Sequence, residues 1–279
     1  MVAELADFKQ TDPTWSTNPP YDLNNIILST RLNHSEDCGD MYGYGCAVTS
    51  VADVFNTYGN TTLSNDDELN PGTLNDWLSG SFKGFVGCSI YWDVASAAIE
   101  IGDPENIYRN NKVNWPEGMQ KIDEALNGND LPIVGILVNN GIGTHYVVAV
   151  EKLPDVDGKP DYKIIDPALY PFVENDPGNS GQSLSQVYGG FDNVFQVVVY
   201  KKGSTPQNTL AIGGHSPIHL FITDPLGDMT GFNLETDEII ANIPNSSYGI
   251  EPGIVPVDGH DSPSKEKKYF QLTNPTEGE

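Results

Sequence analysis

Apolar residues recur at Val48, Val51, Ala52, Phe55 and Tyr58, the spacing of one helical face, which predicts a helix that begins at Cys46 just after Gly45. Gly59 and Asn60 supply its stop. Shorter helical stretches are predicted over Leu74–Leu78, Trp92–Ile101 and Ile122–Leu126, the last closed by Asn127-Gly128-Asn129. The pattern then changes period. Pro132–Val138 is a continuous apolar run rich in β-branched residues, as a buried strand requires. Tyr146–Val150 and Tyr162–Ile165 flank the turn-forming run Pro154–Pro160 and read as a hairpin, and Phe195–Tyr200 reads as a last strand. Residues 1–45 read as an irregular lead-in, rich in Asn, Asp, Pro and Gly, with one apolar run at Ile26–Leu28. Helices first and antiparallel strands after them predict an α+β arrangement.

The polar run Lys201–Asn208 reads as a linker by composition. Beyond it Ile218–Thr223 is strand-like, turns are marked at Asp224–Gly227 and Asn245–Ser247, and no segment has convincing helical periodicity. The domain boundaries expected are therefore 1–203 for a first α+β domain, 204–209 for a linker and 210–279 for a small β-rich domain. No internal repeat is visible.

Charge narrows the partners. Against 39 acidic residues stand 14 basic ones, a net charge of −25, and such a surface repels nucleic acid phosphates and anionic membranes. No stretch approaches the ~20 apolar residues of a membrane span, so membrane insertion is not expected. Met1–Asp7 lacks the basic and apolar regions of a signal peptide, so the chain is expected either to stay inside the cell or to be a processed piece of something longer. Three cysteines cannot all pair within one chain, and no Cys-x-x-Cys spacing suggests zinc. His215 and His219 have i, i+4 spacing, but Pro217 between them opposes a helix. Asp155-Val156-Asp157-Gly158 lacks the ligand pattern and terminal Glu of a calcium loop and reads as a turn, and Asp66–Glu68 reads as a solvated loop. No metal and no cofactor is expected.

The odd cysteine invites a chemical reading. Unpaired backbone N–H groups and the helix dipole favour a thiolate at a helix start, and Cys46 occupies such a position. A thiol nucleophile needs a base, and the base needs an orienting partner. Of five histidines, His145 leads directly into the strand Tyr146–Val150, where it can be held rigidly. Asp166 ends the next strand of the predicted hairpin, and a residue at the exit of one antiparallel strand lies near the entry of its neighbour. Cys46 as nucleophile, His145 as general base and Asp166 as its orienting residue form one candidate triad. Cys38, in Asp37-Cys38-Gly39, is a second candidate nucleophile, although Gly39–Gly43 starts no amphipathic helix; Cys88 reads as structural.

Gly45–Ser50, Pro71–Leu78, Gly143–Val148 and Ile165–Pro167, with the opening Phe8–Trp15, resemble the peptidase domains related to the bacteriocin leader peptidases, cysteine peptidase family thirty-nine and its relatives. The resemblance covers Phe8 to about Tyr200. It implies a papain-like fold and amide hydrolysis by thiolate attack through an acyl-enzyme, with a peptide or protein as substrate. It also implies that Gln10, matching the family's upstream glutamine, joins the Cys46 N–H in an oxyanion hole; Asn33 is the alternative donor. In the leader peptidases the nucleophile lies in an Asp-Cys-Gly setting, and the segment between Gln10 and Cys46 is longer than usual here. Ser216–Phe232 looks like a β-sandwich module appended to bacterial envelope or secreted proteins, which implies secretion or display at a bacterial surface. The chain stops at Asn274–Glu279, where such modules continue into a further strand, leaving this one incomplete by comparison. A cell-wall peptide hydrolase or acyl transferase using the same triad, and a non-catalytic adhesin or binding module, are the other readings.

Overall fold

The computed structural model describes residues 5–16, 40–79, 84–86, 89–109, 115–139, 143–169, 172–205, 209–215, 220–234, 238–244, 246–251 and 267–273. Helices are α1 (Pro13–Ser16), α2 (Met41–Tyr44), α3 (Cys46–Thr57), α4 (Pro71–Ser79), α5 (Trp92–Ala97), α6 (Pro116–Asn127) and α7 (Leu184–Tyr188). Strands are β1 (Phe85–Val86), β2 (Ser89–Ile90), β3 (Glu105–Tyr108), β4 (Pro132–Val138), β5 (Gly143–Val156), β6 (Lys159–Ile165), β7 (Val194–Val199), β8 (Thr209–His215), β9 (Phe221–Thr223), β10 (Met229–Asn233), β11 (Glu238–Ala241), β12 (Ser246–Glu251) and β13 (Lys267–Thr273). The fold is α+β with antiparallel sheets, as the change of period predicts.

The principal sheet has the order β3-β7-β4-β5-β6, with every neighbour antiparallel. Its two faces bury different cores, because side chains alternate along a strand. Tyr146 and Val148 of β5 join the α3 residues Val48, Val51, Ala52 and Phe55 in one core, while Val147 and Ala149 join Ile122 and Ala125 of α6 in the other. The long hydrophobic run of β4 is explained by the same fact: Ile133 serves the first core and Val134 and Ile136 the second.

Several elements differ from expectation, each for a local reason. The helix starting at Trp92 ends at Ala97, and Glu100 shortly after has φ +55°, outside helical space. The helix around Ile122 begins six residues earlier, at Pro116, which stands at the first helical turn where a missing N–H costs nothing. The hairpin strands run on through most of Pro154–Pro160, past an irregular register at Leu153–Val156, and turn at Asp157 (φ +52°) and Gly158 (φ +74°). Two consecutive positive φ values match the twist of the flanking strands, which is why Asp-Gly sits there. The edge strand β3 and helix α7 were not anticipated, nor were the short α1 and α2 inside the lead-in. Ile26–Leu28, Asn33, Cys38 and Cys88 lie outside the described residues.

After β7 the chain forms two three-stranded antiparallel sheets, β12-β13-β8 and β11-β10-β9, and no helix among its described residues. Among the described residues there, Ile243 is buried with Leu220 and Ile222 packed on it. The stretch read as a linker starts docked: Gly102 N donates to Ser204 Oγ at 3.1 Å and Lys202 N to Asp130 Oδ1 at 2.9 Å.

Candidate active site

Cys46 is the first residue of α3 and is a free cysteine. Helix-start N–H groups lack intrahelical partners, so the sulfur stands beside uncommitted donors. Gly45 before it is required by its own chain: a Cβ there would lie 2.4 Å from the Met41 carbonyl oxygen. That tight turn comes from α2, whose Asp40 cap accepts the Gly43 N–H at 3.1 Å. Cys46 is only 2% exposed and packs into the α3 core.

His145 sits near the start of β5 and Asp166 directly after β6, whose pairing brings them together across the hairpin. His145 Nε2 lies 2.8 Å from Asp166 Oδ1, and the Cys46 thiol is close enough to act on the same ring. With Nε2 committed to the carboxylate, Nδ1 is the nitrogen left for the sulfur. Burial works to lower the basicity of His145, but the Asp166 charge and hydrogen bond, followed by Cys46, outweigh it and push the ring up to about 10. Asp166 has no exposed surface. Burial works to raise it, yet the His145 charge and the donors around the carboxylate hold it below the usual carboxylate range. Its Oδ1 also accepts Ala168 N at 2.9 Å; its Oδ2 accepts Tyr188 Oη at 2.5 Å and Asn179 Nδ2 at 3.1 Å. The His145 ring is 6% exposed, more enclosed than a residue at an open cleft mouth.

Gln10 reaches this region on the segment Leu5–Ser16, which bridges both halves of the site. Asp53 Oδ1 and Thr57 Oγ1 of α3 accept Phe8 N at 2.7 Å and Ala6 N at 2.9 Å. On the other side Gln10 N donates to the Pro167 carbonyl at 3.0 Å and Thr11 Oγ1 to the Leu169 carbonyl at 2.5 Å. Lys9, buried between them, places Nζ on the Asp166 carbonyl and on Ser180 Oγ, each at 2.8 Å, and on Asp7 Oδ1 at 2.5 Å. The Gln10 side chain is buried and Nε2 donates to the Tyr42 carbonyl at 2.7 Å, four residues before Cys46. Its Oε1 has no partner among the described residues.

His145 thus bonds Asp166 and lies close to Cys46, with Gln10 anchored on the turn that precedes Cys46. A cleft of about 360 Å³ lies alongside, between the Leu5–Ser16 segment and residues 172–177, with Phe8, Asp12, Trp15 and Glu174 in its walls; neither Cys46 nor His145 lines it. Tyr188, Asn179 and Lys9 escaped the sequence reading. A signal for α7 did exist: Ser183 and Gln186 form a capping box, and Gly189 follows the last residue, Tyr188. No group of three or more His, Cys, Asp or Glu among the described residues is placed to hold a metal. His215 ends β8, and Asp157 and Gly158 form the hairpin turn. No protein-family model matches the chain, and no curated protein or solved structure is similar to it.

Proposed function

We propose that this chain is a cysteine-dependent hydrolase of papain-like fold that cleaves a peptide or related amide bond. The observation that carries the proposal is a single imidazole with Asp166 on Nε2 at 2.8 Å and a helix-start thiol close enough to act on the same ring. A protonated ring favours the thiolate beside it, and a thiolate is the attacking species. The sulfur adds to the carbonyl carbon, and the resulting oxyanion is met by the Cys46 N–H and the second amide hydrogen of Gln10. His145 passes its proton to the leaving amine, whose departure leaves a thioester on Cys46. The now neutral ring takes a proton from water as that water attacks, and the thioester breaks to free acid and thiolate. Asp166 keeps the ring oriented throughout. With the resemblance of residues 216–232 to a module of bacterial envelope proteins, we take the site of action to be outside the cell or at a bacterial surface, with residues 210–279 as an accessory β-domain.

One observation favours a second reading. Cys46 and His145 are both buried, as they would be in a non-catalytic binding module that kept the scaffold. Labelling separates the two. An unperturbed thiol, with a pKa near ~8.5, is under ~1% ionised at about pH 6. Iodoacetamide at that pH should modify Cys46 far faster than Cys38 or Cys88, as read by mass spectrometry of the labelled peptides, and His145→Ala should remove most of the preference. Preferential labelling of Cys38 would move the nucleophile upstream. Equal labelling of all three cysteines would favour the binding module.

A further inference from the structure

A carboxylate orients a histidine only if it is itself held, because one bound through a single oxygen can turn about its Cβ–Cγ bond and offer either edge. In Asp166 the oxygen facing His145 is not the one that receives the shortest hydrogen bond. Oδ2, on the far side, accepts the Tyr188 hydroxyl at 2.5 Å and the Asn179 amide at 3.1 Å. Tyr188 also lays its ring against the imidazole, with centroids 5.6 Å apart and planes at 41°. Its position is well supported. Tyr188 is the last residue of α7, whose first turn is fixed by the Ser183–Gln186 capping box and by Asp161, which accepts Ser185 N at 2.9 Å and Ser185 Oγ at 2.5 Å.

We propose that Tyr188 is a positioning residue of the Cys46–His145–Asp166 site, its hydroxyl fixing the carboxylate edge that His145 receives and its ring covering the His145–Asp166 bond. Burial, together with the charge and hydrogen bond of Asp166, raises the pKa of Tyr188 far above its ordinary value, so the phenol stays protonated and remains a donor across the working range. The charged and titratable groups facing Asp166 are then accounted for. His145 comes from β5 and Tyr188 from α7; Cys46, from α3, is within electrostatic range of both His145 and Tyr188. Lys9 sits on the Asp166 main-chain carbonyl and is itself paired with Asp7. The consequence for catalysis rests on the hydrolase reading, whereas the fixing of Asp166 does not.

The test is Tyr188→Phe in the full chain, which keeps the ring and removes the donor. Protonation of Asp166 at acid pH perturbs the His145 ring resonances, which NMR can follow once His145→Ala has assigned them. Loss of a donor to the ionised form raises a carboxyl pKa, and a hydrogen bond to a charged group is strong enough to move it by about one to two pH units. The acid inflection of His145 should therefore shift upward by that amount. A packing role alone would lower the thermal midpoint and leave the inflection in place. Asn179→Ala, which removes the longer bond to the same oxygen, should shift it the same way by less. An unmoved inflection in folded Tyr188→Phe, or a larger shift from Asn179→Ala than from Tyr188→Phe, would overturn the proposal. If the inflection moves as expected but wild-type Cys46 alkylates no faster than Cys38 or Cys88, the positioning role stands and the hydrolase reading falls.

Discussion

Gln10 has two amide hydrogens, and the Tyr42 carbonyl takes one of them. On the proposed hydrolase reading the other would meet the oxyanion of a carbonyl attacked by Cys46, and the buried side chain has little freedom to leave. Gln10→Ala should therefore slow turnover by ~100- to 1,000-fold, the usual effect of losing one oxyanion donor, while the rate of Cys46 alkylation stays nearly unchanged. Equal loss of both rates, in paired assays of one preparation, would make Gln10 a structural residue. The same contrast explains what could be read at this scale. Cys46, His145 and Asp166 were legible because each sits where a local pattern starts or stops. Gln10 was legible only through a family resemblance. Lys9 and Asn179 stand at no such boundary, and although Tyr188 ends α7, the roles of all three come from what lies across from them.

Helix α3 does more than present a thiol. Asp53, two turns below Cys46, holds the segment that carries Gln10 by accepting Phe8 N at 2.7 Å, and its Oδ2 has no partner among the described residues. Burial pushes this carboxyl well above its ordinary value, and the Phe8 N–H and Lys9, which act in the opposite sense, do not offset it. A carboxyl raised in the folded state contributes stability below its unfolded pKa of 3.8 and loses it as pH climbs through the folded value. Asp53→Asn is uncharged at every pH and keeps an oxygen for Phe8. Its thermal midpoint relative to wild type should rise as pH climbs above the unfolded value of 3.8. A relative midpoint that falls over this range would mean that the ionised carboxylate, paired with Lys9, is the stabilising form. Element by element, α3, β4 and the β5–β6 hairpin were predictable because their own periodicity carries the signal. The edge strand β3 was not, since its four residues are all half-buried and show no alternation.

At the scale of the molecule, the two large cores draw on residues between Trp15 and Tyr200, whereas Ile243 with Leu220 and Ile222 forms the cluster beyond them. A chain ending after Thr205 keeps the docked residues Lys202 and Ser204 and should fold, retaining its far-UV circular dichroism and the reactivity of Cys46. Lost helicity in the shorter chain would mean that β3, which touches β12, needs that contact. No helix among the described residues is long and apolar enough to cross a bilayer.

Sequence by itself determined the change from helical to strand period, the helix start at Cys46, and the adjacency of His145 and Asp166 through one hairpin. All of these depend on contacts within a turn or between neighbouring strands, and periodicity and turn residues encode such contacts directly. Only the tertiary structure decided the strand order β3-β7-β4-β5-β6, the enclosure of the thiol, and the two-sided grip on Asp166. Lys9 reaches the Asp166 carbonyl across 157 positions of chain and Thr11 the Leu169 carbonyl across 158, while the same Leu5–Ser16 segment bonds to α3 across 45 and 51. Contacts at that separation are set by how whole elements pack, and nothing in the local pattern at either end marks its partner.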